Sequence, residues 1–225
     1  MAQLDQWFSS ARMSTYSFHP DPEALYVWNT RITKAFLEDI QHIEVLLRNR
    51  MDDALTSRCT MKNGSETVSW FSNEKLALSK KNGEQLNRAI RKVEDKCGVS
   101  THGKVIAELP FDFWYYLLSK SYSTTVWPCF HKLLRVESAK RVKGGLQRIP
   151  VPDRQQFKKQ VGIIYTLRNR CSHHEPIVKD NFKKESSSLD RKQMAIEKVA
   201  NWLDPDAADW ILKNSRVNLV RAQRP

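Results

Sequence analysis

No stretch of this 225-residue chain supplies the roughly 18 consecutive apolar residues that a membrane-spanning helix requires, and its start lacks a basic-then-apolar leader. The sequence therefore reads as cytoplasmic, with no membrane partner. Glycine is scarce, at seven residues, and Val and Ile seldom alternate with polar residues. The period-2 signal of half-buried strands is thus missing, which argues against a β-sandwich and for an α-rich chain. The four cysteines, Cys59, Cys97, Cys129 and Cys171, never stand as Cys-x-x-Cys. Their scatter argues against a disulfide framework or a closed zinc site and fits reduced thiols. Cys171, His173 and His174 crowd together, but no spaced fourth ligand accompanies them. No metal and no other cofactor is expected.

Acid is also in short supply. The formal net charge is +12 and the sequence pI about 9.6. The excess concentrates between Lys140 and Arg170, where nine Lys or Arg face one acid, Asp153. A segment of that kind is the electrostatic footprint of a polyanion partner. Its candidate RNA contacts are Lys140, Arg141, Lys143, Arg148, Arg154, Lys158, Lys159 and Arg170.

Helical periodicity organises what remains. Asp21-Pro22-Glu23 carries a cap, a first-turn proline and an acid for the helix dipole. From there Leu25, Trp28, Ile32, Phe36, Ile40, Ile43 and Leu47 repeat at helical spacing, predicting a long central helix to about Leu55. Met61 to Asn73 reads as a loop, Glu74 to Cys97 as a polar helix stopped by Gly98, and Phe111 to Leu118 as an aromatic segment for the core or a dimer contact. Asp153 and Gln156 form a capping-box pattern for the next helix. Residues 179–188 read as a mobile loop, and 189–225 as closing helices, with Asp204-Pro205 starting the second. Residues 1–20 form an N-terminal arm. The whole, 1–225, is expected to be one domain.

On the helix that starts at Asp153, Phe157, Val161, Ile164 and Cys171 line one stripe, and Arg168 falls in its middle. A charge so placed needs a partner, because desolvating it costs several kcal/mol, roughly the penalty of a buried ion. The structural explanation is a buried ion pair. The functional one pairs Arg168 with His173: a guanidinium holds a phosphate and offsets transition-state charge, while an imidazole moves a proton near neutral pH. On a straight helix the two point almost oppositely. Either the helix bends or ends at the histidines, as Pro176 favours, or the groups meet across a dimer interface. Glu44 and Arg48, four apart, can form an ion pair in the core; alternatively Glu44 holds the Arg168 guanidinium. Asn49 and Arg50 are weaker candidates for facing substrate.

Leu47-Arg48-Asn49, Leu109-Pro110-Phe111-Asp112-Phe113-Trp114 and Leu167-Arg168-Asn169-Arg170-Cys171-Ser172-His173-His174-Glu175-Pro176-Ile177, together with Trp28-Asn29 and Trp202-Leu203-Asp204-Pro205, resemble the Abi-like (abortive infection) proteins of the HEPN superfamily. The resemblance covers nearly the whole chain, with the Arg-x4-6-His motif carried by Arg168 and His173. It implies an HEPN-like multi-helix bundle with long central helices, a homodimer with a composite cleft, and metal-independent endoribonuclease activity in phage defence or as a toxin. On that model Arg168 stabilises the phosphorane-like transition state and His173 is the acid or base. Asn169 orients the His or the phosphate, and His174 and Glu175 support. RNA cut in this way would end in a 2′,3′-cyclic phosphate and a 5′-hydroxyl. The alternative is a non-catalytic RNA-binding or scaffold protein that carries a non-coding RNA. A purely structural interaction module leaves the Arg on the apolar face unexplained.

Overall fold

Asp21 begins the longest element of the fold. In the computed structural model its Oδ1 accepts the Ala24 N–H at 2.9 Å, and helix α3 runs from Pro22 to Asn63. The predicted start is met; the helix continues about two turns past Leu55. The structure describes residues 2–63, 69–72, 76–135, 140–142, 145–147 and 151–225, with backbone alone at 2, 60–63, 72, 140–142 and 145–147. Before α3 lie α1 (Ala2–Phe8) and α2 (Ser10–Met13). After it come α4 (Lys80–Cys97), α5 (His102–Glu108), α6 (Phe111–Leu117) and α7 (Trp127–Leu133). Then follow α8 (Arg154–Ser172), α9 (Phe182–Leu203), α10 (Pro205–Asn214) and α11 (Val217–Ala222). Lys140–Val142 and Gly145–Gln147 pair as a small antiparallel ribbon beside this helical bundle. No helix among the described residues is long and apolar enough to cross a membrane.

Burial follows the period of the sequence. Leu25, Ile32, Phe36, Ile43 and Leu47 on α3 are fully buried, and α3 packs against α6, α7, α8, α9 and α11. Phe113 and Trp114 on α6 and Phe130 on α7 join the same core, as expected of side chains that remove so much apolar surface from water. The aromatic segment is therefore core. Among the stop and start signals, Gly98 closes α4 at φ 74°, a conformation that suits glycine. Asp204 caps α10 by accepting the Asp206 and Ala207 N–H groups.

Residues 179–188 need a correction. α9 begins at Phe182, capped by Asn181, so most of the segment expected to be a mobile loop is helix. The physical reason is Glu185, only 1% exposed, which accepts the Lys179 N–H and is paired with Arg224. Arg224 also lies over the Trp28 and Phe182 rings. A polar stretch is helical here because one buried carboxylate is fully partnered. Arg224→Ala should cost about 3 kcal/mol in urea unfolding by leaving that carboxylate unpaired, and adding Glu185→Gln should recover part of the loss.

Candidate functional site

α8 carries the residues singled out in the sequence, and its start is fixed by a complete capping box. Asp153 accepts the Gln156 N–H, and Gln156 accepts the Asp153 N–H. Phe157, Val161, Ile164, Leu167 and Cys171 are buried against α3 and α9. Burial pushes the Cys171 thiol up to about 12, so it stays protonated near neutral pH and packs in the core. Arg168 lies on this face, but its side chain is 37% exposed and leans out to α3. There its Nε donates to Glu44 Oε1 at 3.0 Å. The partner required by an apolar-face Arg is thus Glu44, 124 residues away in sequence. Burial raises the Glu44 carboxyl above its usual range, against the opposing pull of Arg168 and, more weakly, Arg48. A guanidinium has five N–H donors, and one is used here.

Arg48 donates its Nε to the neighbouring Asn49 Oδ1 at 3.3 Å, so Glu44 turns to Arg168 rather than forming the expected pair with Arg48. Asn49 is exposed. Arg50 donates to Asp204 Oδ2 at 2.5 Å and ties α3 to the start of α10.

The geometry at the histidines is settled by the end of α8. The helix stops at Ser172, with His173 as its C-cap. The Glu175 N–H bonds to the Arg170 carbonyl and the His174 N–H to the Cys171 carbonyl. These are the two bonds of a Schellman motif, whose left-handed position usually takes glycine. Here His174 occupies it, at φ 57°. The apolar contact that often accompanies the motif is replaced by the Arg170–Glu175 ion pair, 3.3 Å. Three further bonds hold the turn. Arg12 Nη1 donates to the His174 carbonyl (2.9 Å), Arg170 Nη2 to the Pro176 carbonyl (2.7 Å), and the Ile177 N–H to Asn29 Oδ1 (2.9 Å). Both histidines remain exposed to solvent.

Arg168 and His173 are not brought into contact. Five residues along a helix turn about 140° and rise about 7.5 Å, and among the described residues no hydrogen bond or ion pair links the two. Asn169 gives its carbonyl to the His173 N–H. His174 lines a cavity of about 990 Å³ formed with the N-terminal arm, where Trp7, Phe8 and Tyr26 supply aromatic walls and Arg12 and Lys34 positive charge.

Four of the expected RNA contacts converge elsewhere. Arg154, Lys158, Lys159 and Arg170 all border a cavity of about 780 Å³ between α8 and α9. Arg154 is anchored on the Leu118 carbonyl, and Lys158 lies over the Tyr115 ring. Lys140 and Arg141 are described only as ribbon backbone, and Lys143 and Arg148 lie outside the described residues. Sequence reading missed the opposite wall, Arg191 and Lys192 on α9, because it sits beyond the presumed loop. It also missed a polar clamp: His102 joins Asp52 through Nε2 and Ser69 through Nδ1, while Trp70 Nε1 donates to Asp52. That clamp fastens α5 to α3. Among the described residues no group of three or more His, Cys, Asp or Glu could hold a metal ion.

Residues 14–179, more than half of the chain, match the family model described as Abi-like protein. The matched stretch holds Asn29, Glu44 and the whole of α8 with its terminal turn; α1, α2 and α9 to α11 lie outside it. No curated protein and no solved structure matches the chain.

Two outcomes follow from this geometry. His174→Gly should stabilise the protein by about 1 kcal/mol, measured by urea unfolding, because a Cβ in the left-handed region is removed. Burial, then Lys179, Arg170 and Arg191, depress the Lys192 ammonium to about 8, below its unfolded value of 10.5. Between those values the unfolded chain binds more protons, so this group makes stability rise with pH. The stability of wild type minus that of Lys192→Met should therefore increase from pH 8 to pH 10.

Proposed function

Since the chain belongs to the Abi-like family, we propose that it is a cytoplasmic, metal-independent endoribonuclease of the HEPN type, acting in abortive infection or as a toxin. Family membership points to phage defence; the nuclease reading rests on the end of α8. The observation that carries it is an Arg held at its Nε by Glu44, with donors left for a phosphate, in the same helix end as two exposed, backbone-pinned histidines.

The chemistry asks for little more. The ribose 2′-OH attacks the adjacent phosphorus as the bond to the 5′-oxygen breaks. One group removes the 2′-OH proton, another protonates the leaving oxygen, and a cation offsets charge on the phosphorane-like transition state. Arg168 supplies that cation, oriented by Glu44 as a positioning residue. His173 exchanges the proton. Asn169 fixes the His173 backbone, while His174 and Glu175 shape the turn. The angular separation of Arg168 and His173 on α8 supports a composite site, in which a second copy brings its own helix end and the active unit is a homodimer. Arg154, Lys158, Lys159 and Arg170, with Lys140, Arg141, Lys143 and Arg148, draw the RNA strand to the site through its phosphates.

Purified protein should cleave RNA in the presence of EDTA. Arg168→Ala and His173→Ala should each lower the rate by about 100-fold or more, the size of an electrostatic or general acid–base contribution. Glu44→Gln should lower it by about tenfold, one weakened positioning bond. Loss of cleavage with the chelator would contradict the metal-independent mechanism. Salt-sensitive RNA binding without cleavage under any condition would favour a scaffold carrying a non-coding RNA.

A further inference from the structure

The cavity between α8 and α9 holds more charge than the RNA contacts account for. Eight of its seventeen lining residues are Lys or Arg, and none is Asp or Glu. Among the described residues the single carboxylate partner of those eight is Glu175, on Arg170. Like charges on an open surface spread into water. Here they face one another across a concave space, with Arg154, Lys158 and Arg170 on α8 and Lys179, Arg191 and Lys192 opposite. Lys192 donates to Ser188 Oγ at 2.6 Å, and its pKa is depressed first by burial and then by the charges of Lys179, Arg170 and Arg191.

The lining also has an apolar part. Ile163, Leu167, Ile177 and Val178 line the cavity with Tyr115, which packs face to face on Tyr165 at 4.9 Å and carries Lys158 over its ring. A space of about 780 Å³, lined by apolar side chains and by several cations, falls within the roughly 300–1,000 Å³ range of small-ligand sites.

We propose that this cavity binds a nucleotide carrying several phosphates, with the phosphates on the Lys and Arg side chains of both helices and the nucleoside against Ile163, Ile177 and Val178. Arg191 offers a planar fork that matches phosphate oxygens two at a time, while Arg170, tied to Glu175 and the Pro176 carbonyl, adds its charge. The lysines add point charges that such an anion would neutralise together. Lys192 would then carry its proton readily, since its repulsion from Lys179, Arg170 and Arg191 would be offset. The α9 wall lies outside the stretch matched by the family model, and the site does not depend on whether the chain cleaves RNA. Arg170 connects the two regions: it borders this cavity and also bonds the Pro176 carbonyl in the turn that holds the histidines.

The test is calorimetric titration of the full chain with ATP, with adenosine, and with a 5′-hydroxyl single-stranded RNA 12-mer. It is run on wild type, Arg191→Ala, and the Arg191→Ala/Lys192→Met pair, each with its unfolding midpoint checked. ATP should bind saturably, one per chain, and adenosine should not. The single variant should weaken ATP about tenfold and the double variant further, the size of lost charge-assisted hydrogen bonds, while RNA binding stays unchanged. Absence of saturable ATP binding would overturn the proposal, as would ATP binding that the double variant leaves intact. A parallel loss of ATP and RNA binding would overturn it too, since the cavity would then belong to the RNA path.

Discussion

A charged side chain on the buried face of a helix must find its opposite, and in this protein that requirement joins the two helices on which the rest depends. Arg168 on α8 meets Glu44 in the middle of α3, and the bond spans 124 residues of sequence. It costs desolvation on both sides, visible in the upward pull on the Glu44 carboxyl. What it provides is orientation. With Nε held, the rest of the guanidinium has a fixed direction, which a group meant to meet a transition-state charge needs. An Arg serving packing alone would be replaceable by an apolar residue of similar volume.

The same economy appears at the end of α8. The terminal turn could close with glycine without strain, yet it places His174 in a left-handed conformation and secures it with contacts from two distant parts of the chain and from Arg170 just before it. Backbone held in a sparsely populated region tends to persist where function requires it. Arg12 of the arm, Asn29 of α3 and Arg170 of α8 thereby become structural dependants of one short turn. The arm itself is anchored by Met13 and Tyr16, both fully buried.

Much of this was legible in the sequence because it is local. Pro and Asp at helix starts, Gly98 at a helix stop, and the spacing of apolar residues on α3 and α8 each act within a few residues, and each is found where the pattern puts it. The Arg168–Glu44 pair was legible as a need, with Glu44 as one named candidate. What escaped were relations between distant segments. No local signal announces that Glu185 is buried and bound to Arg224, so a polar stretch read as a loop is helix. For the same reason Arg191 and Lys192 were not read as the second wall of a cationic cavity, and Asp52, Ser69 and His102 were not read as a clamp. The angular problem posed by Arg168 and His173 was visible beforehand; the helix does end there, and among the described residues no hydrogen bond or ion pair joins the two groups.

The central claim is that this helix end cuts RNA by using the substrate's own 2′-hydroxyl. The most direct measurement is the mass of the new 3′ termini after a defined RNA is incubated with purified wild-type protein in EDTA. Every cut should leave a 2′,3′-cyclic phosphate. Fragments ending in a 3′-hydroxyl would contradict it, because that product requires water or another nucleophile in place of the ribose oxygen.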